Sequence, residues 1–143
     1  MSKKITKKLR KIYYYFISFP DKLYPFSSII EGKVVRGQKS YLNAVKKAFD
    51  LNGDGKFGLG LMFYRETFHF IGAVLFVVFS TLISTRLFNS ELMPIYLLGS
   101  AMVALAFQEF YFHPKKYNQV IKKGFIDWVV WVVPMAIYLI YFT

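Results

Sequence analysis

The chain has 143 residues, 55% of them hydrophobic and 20% aromatic, with nineteen Lys and Arg against eight Asp and Glu for a formal net charge of +11. That is one domain's worth of chain, too apolar for an ordinary small soluble domain unless the excess is concentrated in a few segments. It contains no cysteine, which excludes disulfides, thiolate nucleophiles and cysteine-based metal sites.

The chain opens on "MSKKITKKLRK", followed by an apolar run, "IYYYFISF", that ends at Pro20. The run is too short to cross a bilayer and lacks a small-x-small cleavage site, so neither a spanning helix nor a cleavable signal peptide is expected here. Two readings are open. The segment lies in the headgroup region with lysines on anionic phosphate, or it is a mobile basic tail. Next comes "PDKLYPFSSIIEGKVVRGQK", 20–39, whose two prolines and two glycines read as a loop or a short strand at most. "SYLNAVKKAF", 40–49, reads as a short amphipathic helix. Ser40 is its candidate N-cap, and Tyr41, Val45 and Phe49 form one stripe opposite lysines.

The stretch "DLNGDGKFGLGL", 50–61, is locally similar to the calcium loop of an EF-hand. Asp50, Asn52 and Asp54 take the first, third and fifth positions, Gly55 the sharp turn, and the Lys56 carbonyl the seventh, ahead of an apolar Phe57. The second half departs from the pattern. Gly58 stands at the ninth position and Leu61 at the twelfth, where a bidentate acid belongs. Hard cations want six or more oxygens and this loop offers about four, so Ca2+ binding would need Glu31, Glu66 or water to complete it. The competing reading is a rigid Asn-Gly/Asp-Gly turn ahead of a membrane helix.

Three long apolar segments follow: 67–88, 92–112 and 125–142. Each is long enough to span a hydrocarbon core, and Tyr and Trp gather towards their ends. The fold class expected is therefore an all-α membrane protein. Residues 1–65 form a basic region with an amphipathic helix, and 66–143 form a three-span bundle. Asn89 or Ser90 is a candidate cap for the second span and Pro94 falls in its first turn, while Pro134 predicts a kink or local opening in the third.

Charge sets the expected orientation. Residues 1–65 carry fourteen of the nineteen basic residues, the connection 113–124 carries four lysines and no acid, and the other connection carries one Arg and one Glu. The positive-inside rule then places the N-terminus and 113–124 in the cytoplasm and Thr143 outside, in an inner or plasma membrane. The same basic segment favours anionic lipid as partner. Its tether to a membrane and the lack of a recognition motif argue against nucleic acid.

Few ionisable residues lie in or beside the spans, and each is a functional candidate because a bilayer makes them costly. They are Glu66 and His69 entering the first, Glu109 and His113 leaving the second with Gln108, and Asp127 entering the third. All fall at the ends assigned to the cytoplasm. Glu66 with His69 and Glu109 with His113 share helix faces by their spacing. Glu-x-x-His at 66–69 fits one half of a di-metal carboxylate signature. Glu109 or Asp127 as a general base supported by His69 is a further chemistry these residue types allow. The opposing view is that Glu109 pairs with Lys115 or Lys116 and Asp127 with Lys122 or Lys123 as plain interfacial ion pairs.

The segments "ETFHF", "ALAFQEFYF" and "GFIDWVV" together resemble VanZ-like membrane proteins over roughly residues 64–140. The resemblance implies a polar site at His69, Glu109 and Asp127 in an envelope-linked membrane protein without a settled reaction. The chain departs from that pattern at Arg65-Glu66, Phe112 and Trp131.

No nucleophile elbow, phosphate loop or dinucleotide fingerprint is present. The leading expectation is a scaffold or accessory subunit without demonstrable catalysis, binding anionic lipid. Ser100-x-x-x-Ala104 offers a close-packing face for self-association or a larger membrane complex. A VanZ-like site and a calcium-responsive adaptor are the alternatives.

Overall fold

A computed structural model describes the backbone of residues 3–52 and 58–142 and the side chains of residues 7–48 and 58–142. It is mostly helical, with three helices long and apolar enough to cross a membrane. The chain divides into two compact units, Met1–Asn52 and Gly53–Thr143.

The first unit contains α1 (Lys3–Ile17), α2 (Phe19–Lys22), a hairpin of β1 (Ser28–Ile30) and β2 (Lys33–Val35), and α3 (Gln38–Asn52). The basic run and most of the apolar run that follows it belong to one helix, α1. Leu9, Ile12, Tyr13, Tyr14, Phe16 and Ile17 on it are all exposed. The hairpin is more structure than the sequence suggested for 20–39. Its two-residue turn is Glu31-Gly32, with φ of 51° and 73°, and Ile30 pairs with Lys33. Positive φ at both central residues is the twist that suits a tight antiparallel hairpin, and glycine supplies the second one without steric cost.

Helix α3 begins two residues earlier than expected, and this overturns the reading of Ser40 as its cap. The first turn is closed by Tyr41 N–H on the Gly37 carbonyl at 3.0 Å. Ser40 is inside the helix, fully buried, with its hydroxyl 2.8 Å from that of Ser28 on β1. Tyr24 and Tyr41 stack edge to face beside it at 5.5 Å, so this unit has a small aromatic core. Of the expected stripe Tyr41 is buried and Val45 half-buried, while the side chain of Phe49 lies outside the described residues. Of the calcium-loop candidates, the side chains of Asp50 and Asn52 and all of Asp54 and Lys56 lie outside the described residues.

The second unit is a three-helix bundle. Helix α4 (Leu59–Ile83) starts eight residues before its uninterrupted apolar stretch and passes into a π turn at Ser84–Phe88. The hydroxyls of Thr81, Ser84 and Thr85 bond back to carbonyls four residues earlier. Such bonds satisfy hydroxyls in apolar surroundings and loosen the helical ladder where the π turn forms. Helix α5 (Met93–Phe107) runs through a second π turn at Gln108–Phe112 into the short α6 (His113–Tyr117). Helix α7 (Ile121–Phe142) is continuous, with Pro134 in its interior.

Asn89 and Asn118 end the first two helical runs in the left-handed conformation, with φ of 44° and 52°. Asn tolerates that region better than other residues with a Cβ, which makes it a helix terminator. Asn89 therefore stops α4 rather than capping α5. The cap of α5 is Leu92, with no side-chain bond, and Pro94 sits in its first turn as expected.

The bundle packs around Ala73 of α4, Leu98 of α5 and Met135 of α7, with Phe76, Ala101, Met102 and Trp131 against them. Trp128 donates its indole N–H to the Met102 carbonyl at 3.2 Å, linking α7 to α5. Outward-facing residues remain apolar: Leu75, Phe79, Val103, Phe107 and Ile140 are all more than half exposed. Ser100 and Ala104 are exposed as well.

Candidate functional site

Apart from Arg86 and Glu91, the Asp, Glu, His, Lys and Arg residues described in the bundle collect at the end where α4 begins and α6 meets α7. They sort into two groups.

Glu66, His69 and Asp127 form the first group. Glu66 and His69 are one turn apart on α4, so their side chains rise on one face, and His69 Nδ1 lies 3.2 Å from Glu66 Oε2. Asp127, in the second turn of α7, faces them. Each of the three offers a donor atom within 4.8 Å of the other two. A Glu66 carboxyl oxygen and an Asp127 carboxyl oxygen thus lie within 4.8 Å of each other. Asp127 is 1% exposed, with Lys123 Nζ on its Oδ2. Its other oxygen, Oδ1, is buried and has no hydrogen-bond partner among the described residues. Trp131, one turn further along α7, places its ring 6.0 Å from the His69 imidazole and walls one side. The side chains of His69 and Glu66 are 23% and 13% exposed.

Glu109 anchors the second group. It lies in the π turn that follows α5 and is 3% exposed. Its carboxylate accepts from Gln108 Nε2 at 3.2 Å and Gln119 Nε2 at 2.8 Å, and it bonds His113 Nδ1 at 2.9 Å. Helix α7 is tight against it. A Cβ on Gly124 would sit 2.7 Å from the Glu109 carbonyl oxygen and 3.2 Å from Gln119 Nε2. That approach is closer than any side chain allows, so residue 124 has to be glycine for α7 to rest there.

Of the three site residues expected from sequence, His69 and Asp127 therefore meet. Glu109 is held in the other network, and the third member of the first group is Glu66. The expected lysine pairing is present for Asp127 through Lys123. It is absent for Glu109, whose partners are amides and an imidazole, while Lys115 donates to the Tyr111 hydroxyl at 2.8 Å. Gln119 was missed in the sequence because its contact spans ten residues and depends on the Asn118 turn, which hydropathy does not report.

The chemistry available differs between the groups. Glu109 has three hydrogen-bond partners on its carboxylate. The first group has two carboxylates against one ammonium, beside an imidazole that can donate, accept or ligate a metal. Two ionised carboxylates are both acceptors and cannot bond each other, so their contact calls for a proton or a cation.

At the opposite end of the bundle a cleft of about 750 Å³ is lined by Thr85, Asn89, Glu91 and Tyr138 among others. Comparison with known protein families, characterised proteins and solved structures found no match to this chain.

Proposed function

We propose that this is a three-span integral membrane protein that acts as a scaffold or accessory subunit, with a basic N-terminal region lying on anionic lipid. The observation that carries this reading is the apolar exterior of all three long helices, combined with a basic helix whose own apolar face is uncovered. On α1, Lys7, Lys8, Arg10 and Lys11 precede an exposed run of Tyr13, Tyr14, Phe16 and Ile17. Cations ahead of interfacial aromatics suit a helix lying at a charged headgroup layer. Charge distribution puts α1 and the α6–α7 connection in the cytoplasm and the Asn89–Leu92 connection outside.

The absence of cysteine makes the test direct, because any introduced thiol is unique. Ser90→Cys is expected to react with an impermeant maleimide in intact cells, whereas Lys39→Cys and Lys116→Cys react only after permeabilisation. The reversed pattern overturns the orientation, and extraction of the protein by alkaline carbonate overturns membrane integration itself.

A second reading, a site of the VanZ-like kind at the cytoplasmic boundary, is favoured by the meeting of His69 and Asp127 from different helices. On that reading Glu66 rather than Glu109 completes the group.

A further inference from the structure

We infer that Glu66, His69 and Asp127 form a binding site for a divalent transition-metal cation of the zinc class.

Three independent features of the bundle lead there. The first is convergence: side chains from α4 and α7, far apart in sequence, bring one imidazole and two carboxyl groups within 4.8 Å. Helices α4 and α7 are held in this register by packing elsewhere, through Ala73 and Met135 in the core and Trp131 against Gly72. The second is a deficit. Asp127 is almost completely buried, Lys123 takes one of its oxygens, and Oδ1 has no donor among the described residues. Buried carboxylate oxygens are rarely left so, because the desolvation cost is not recovered. The third is charge. Two carboxylates face one ammonium and one imidazole, and with that imidazole neutral and free to ligate, a bound cation balances the second carboxylate.

The donor set selects the class of ion. A mixed set of one nitrogen and two carboxylate oxygens suits zinc, cobalt, manganese or ferrous iron. Calcium and magnesium favour all-oxygen shells with more ligands than this group provides. Three protein ligands leave a fourth position for water or a ligand oxygen, as in zinc sites that are not purely structural. Entry is available on the partly exposed side of Glu66 and His69. Lys123, on the Asp127 oxygen not needed by the ion, would hold that carboxylate in orientation as an outer partner. The site depends on the bundle alone and does not require the scaffold reading or the proposed orientation.

The test uses the full-length protein in detergent, stripped with chelator and titrated with Co2+ at neutral pH. The expected result is one equivalent of cobalt with a visible d–d band that Zn2+ abolishes. In Glu66→Gln and His69→Gln the affinity is expected to fall by at least about a hundredfold, because a ligand is lost rather than an outer partner. His113→Gln, outside the group, should bind as the unaltered chain does. A second readout needs no variant: the chain has two histidines, and bound Zn2+ should protect His69 but not His113 from diethylpyrocarbonate. Absence of cobalt binding by the unaltered chain would overturn the inference and leave the carboxyl pair holding only a proton. Binding that survives both Glu66→Gln and His69→Gln, or protection of both histidines alike, would overturn it as adventitious metal.

Discussion

Glu109 and Asp127 are both buried carboxylates at the same end of one bundle, yet their surroundings are opposite. Glu109 is surrounded by donors: two glutamine amides and an imidazole, all within 3.2 Å. Asp127 has one lysine, the Glu66 carboxyl group within 4.8 Å, and an oxygen with no donor among the described residues. A carboxylate supplied with donors from its own turn and the next connection is part of the frame. One whose buried oxygen the described residues leave without a donor is a place where something else belongs. Burial by itself separates neither case; the count of donors does.

Stability measurements on the detergent-solubilised protein can break this comparison. The largest effect is expected from Glu109→Ala, which leaves the amides of Gln108 and Gln119 and the His113 imidazole without their acceptor. Three hydrogen bonds to one charged acceptor are lost together, which puts the loss at about 3 kcal/mol. A loss below about 1 kcal/mol would mean the network is solvated and not part of the frame.

Gly124→Ala comes next. The added Cβ meets the Glu109 backbone, which cannot rotate away as a side-chain tip could. A loss of about 2 kcal/mol is expected from the shift of α7 this forces. Unchanged unfolding would show that the α7 contact is looser than the structure has it.

Glu66→Gln sharpens the comparison by reversing the sign. In the metal-free protein the new amide N–H can donate to Asp127 while its carbonyl still accepts from His69. A gain of about 1 kcal/mol is expected, as for one recovered hydrogen bond. Glu109→Gln, the same chemical change in the other group, turns a donor towards donors and should lower stability instead. Equal effects at the two positions would remove the distinction between them. A stabilised Glu66→Gln protein that no longer takes up cobalt would separate the needs of the fold from those of the site.

Much of this was legible in the sequence, for physical reasons that can be traced. Long uncharged runs gave three helices because an apolar segment of that length is also a good helix former, whatever surrounds it. Helix spacing placed Glu66 beside His69, Glu109 beside His113 and Lys123 beside Asp127, since positions three and four apart share a face. The helical starts were less legible. Arg65 and Glu66 interrupt the hydropathy without interrupting the helix, so α4 extends eight residues towards the N-terminus beyond its apolar run. Ser40 has the residue type of a cap and is instead a buried hydroxyl bonded to Ser28, a partner twelve residues away.

What the sequence determined by itself is thus local: where helices run, which charged residues lie near their ends, and which neighbours along one helix pair. Tertiary structure alone decided which helix faces meet. It brought Asp127 to Glu66 and His69, sent Glu109 to Gln119 through the Asn118 turn, and left Asp127 Oδ1 without a donor among the described residues. The reason is that rotation of one helix about its axis against another is set by side-chain packing, here Ala73, Leu98, Met135 and the Trp131–Gly72 approach. Periodicity in the three apolar helices says little about that rotation, because they are apolar on nearly every face.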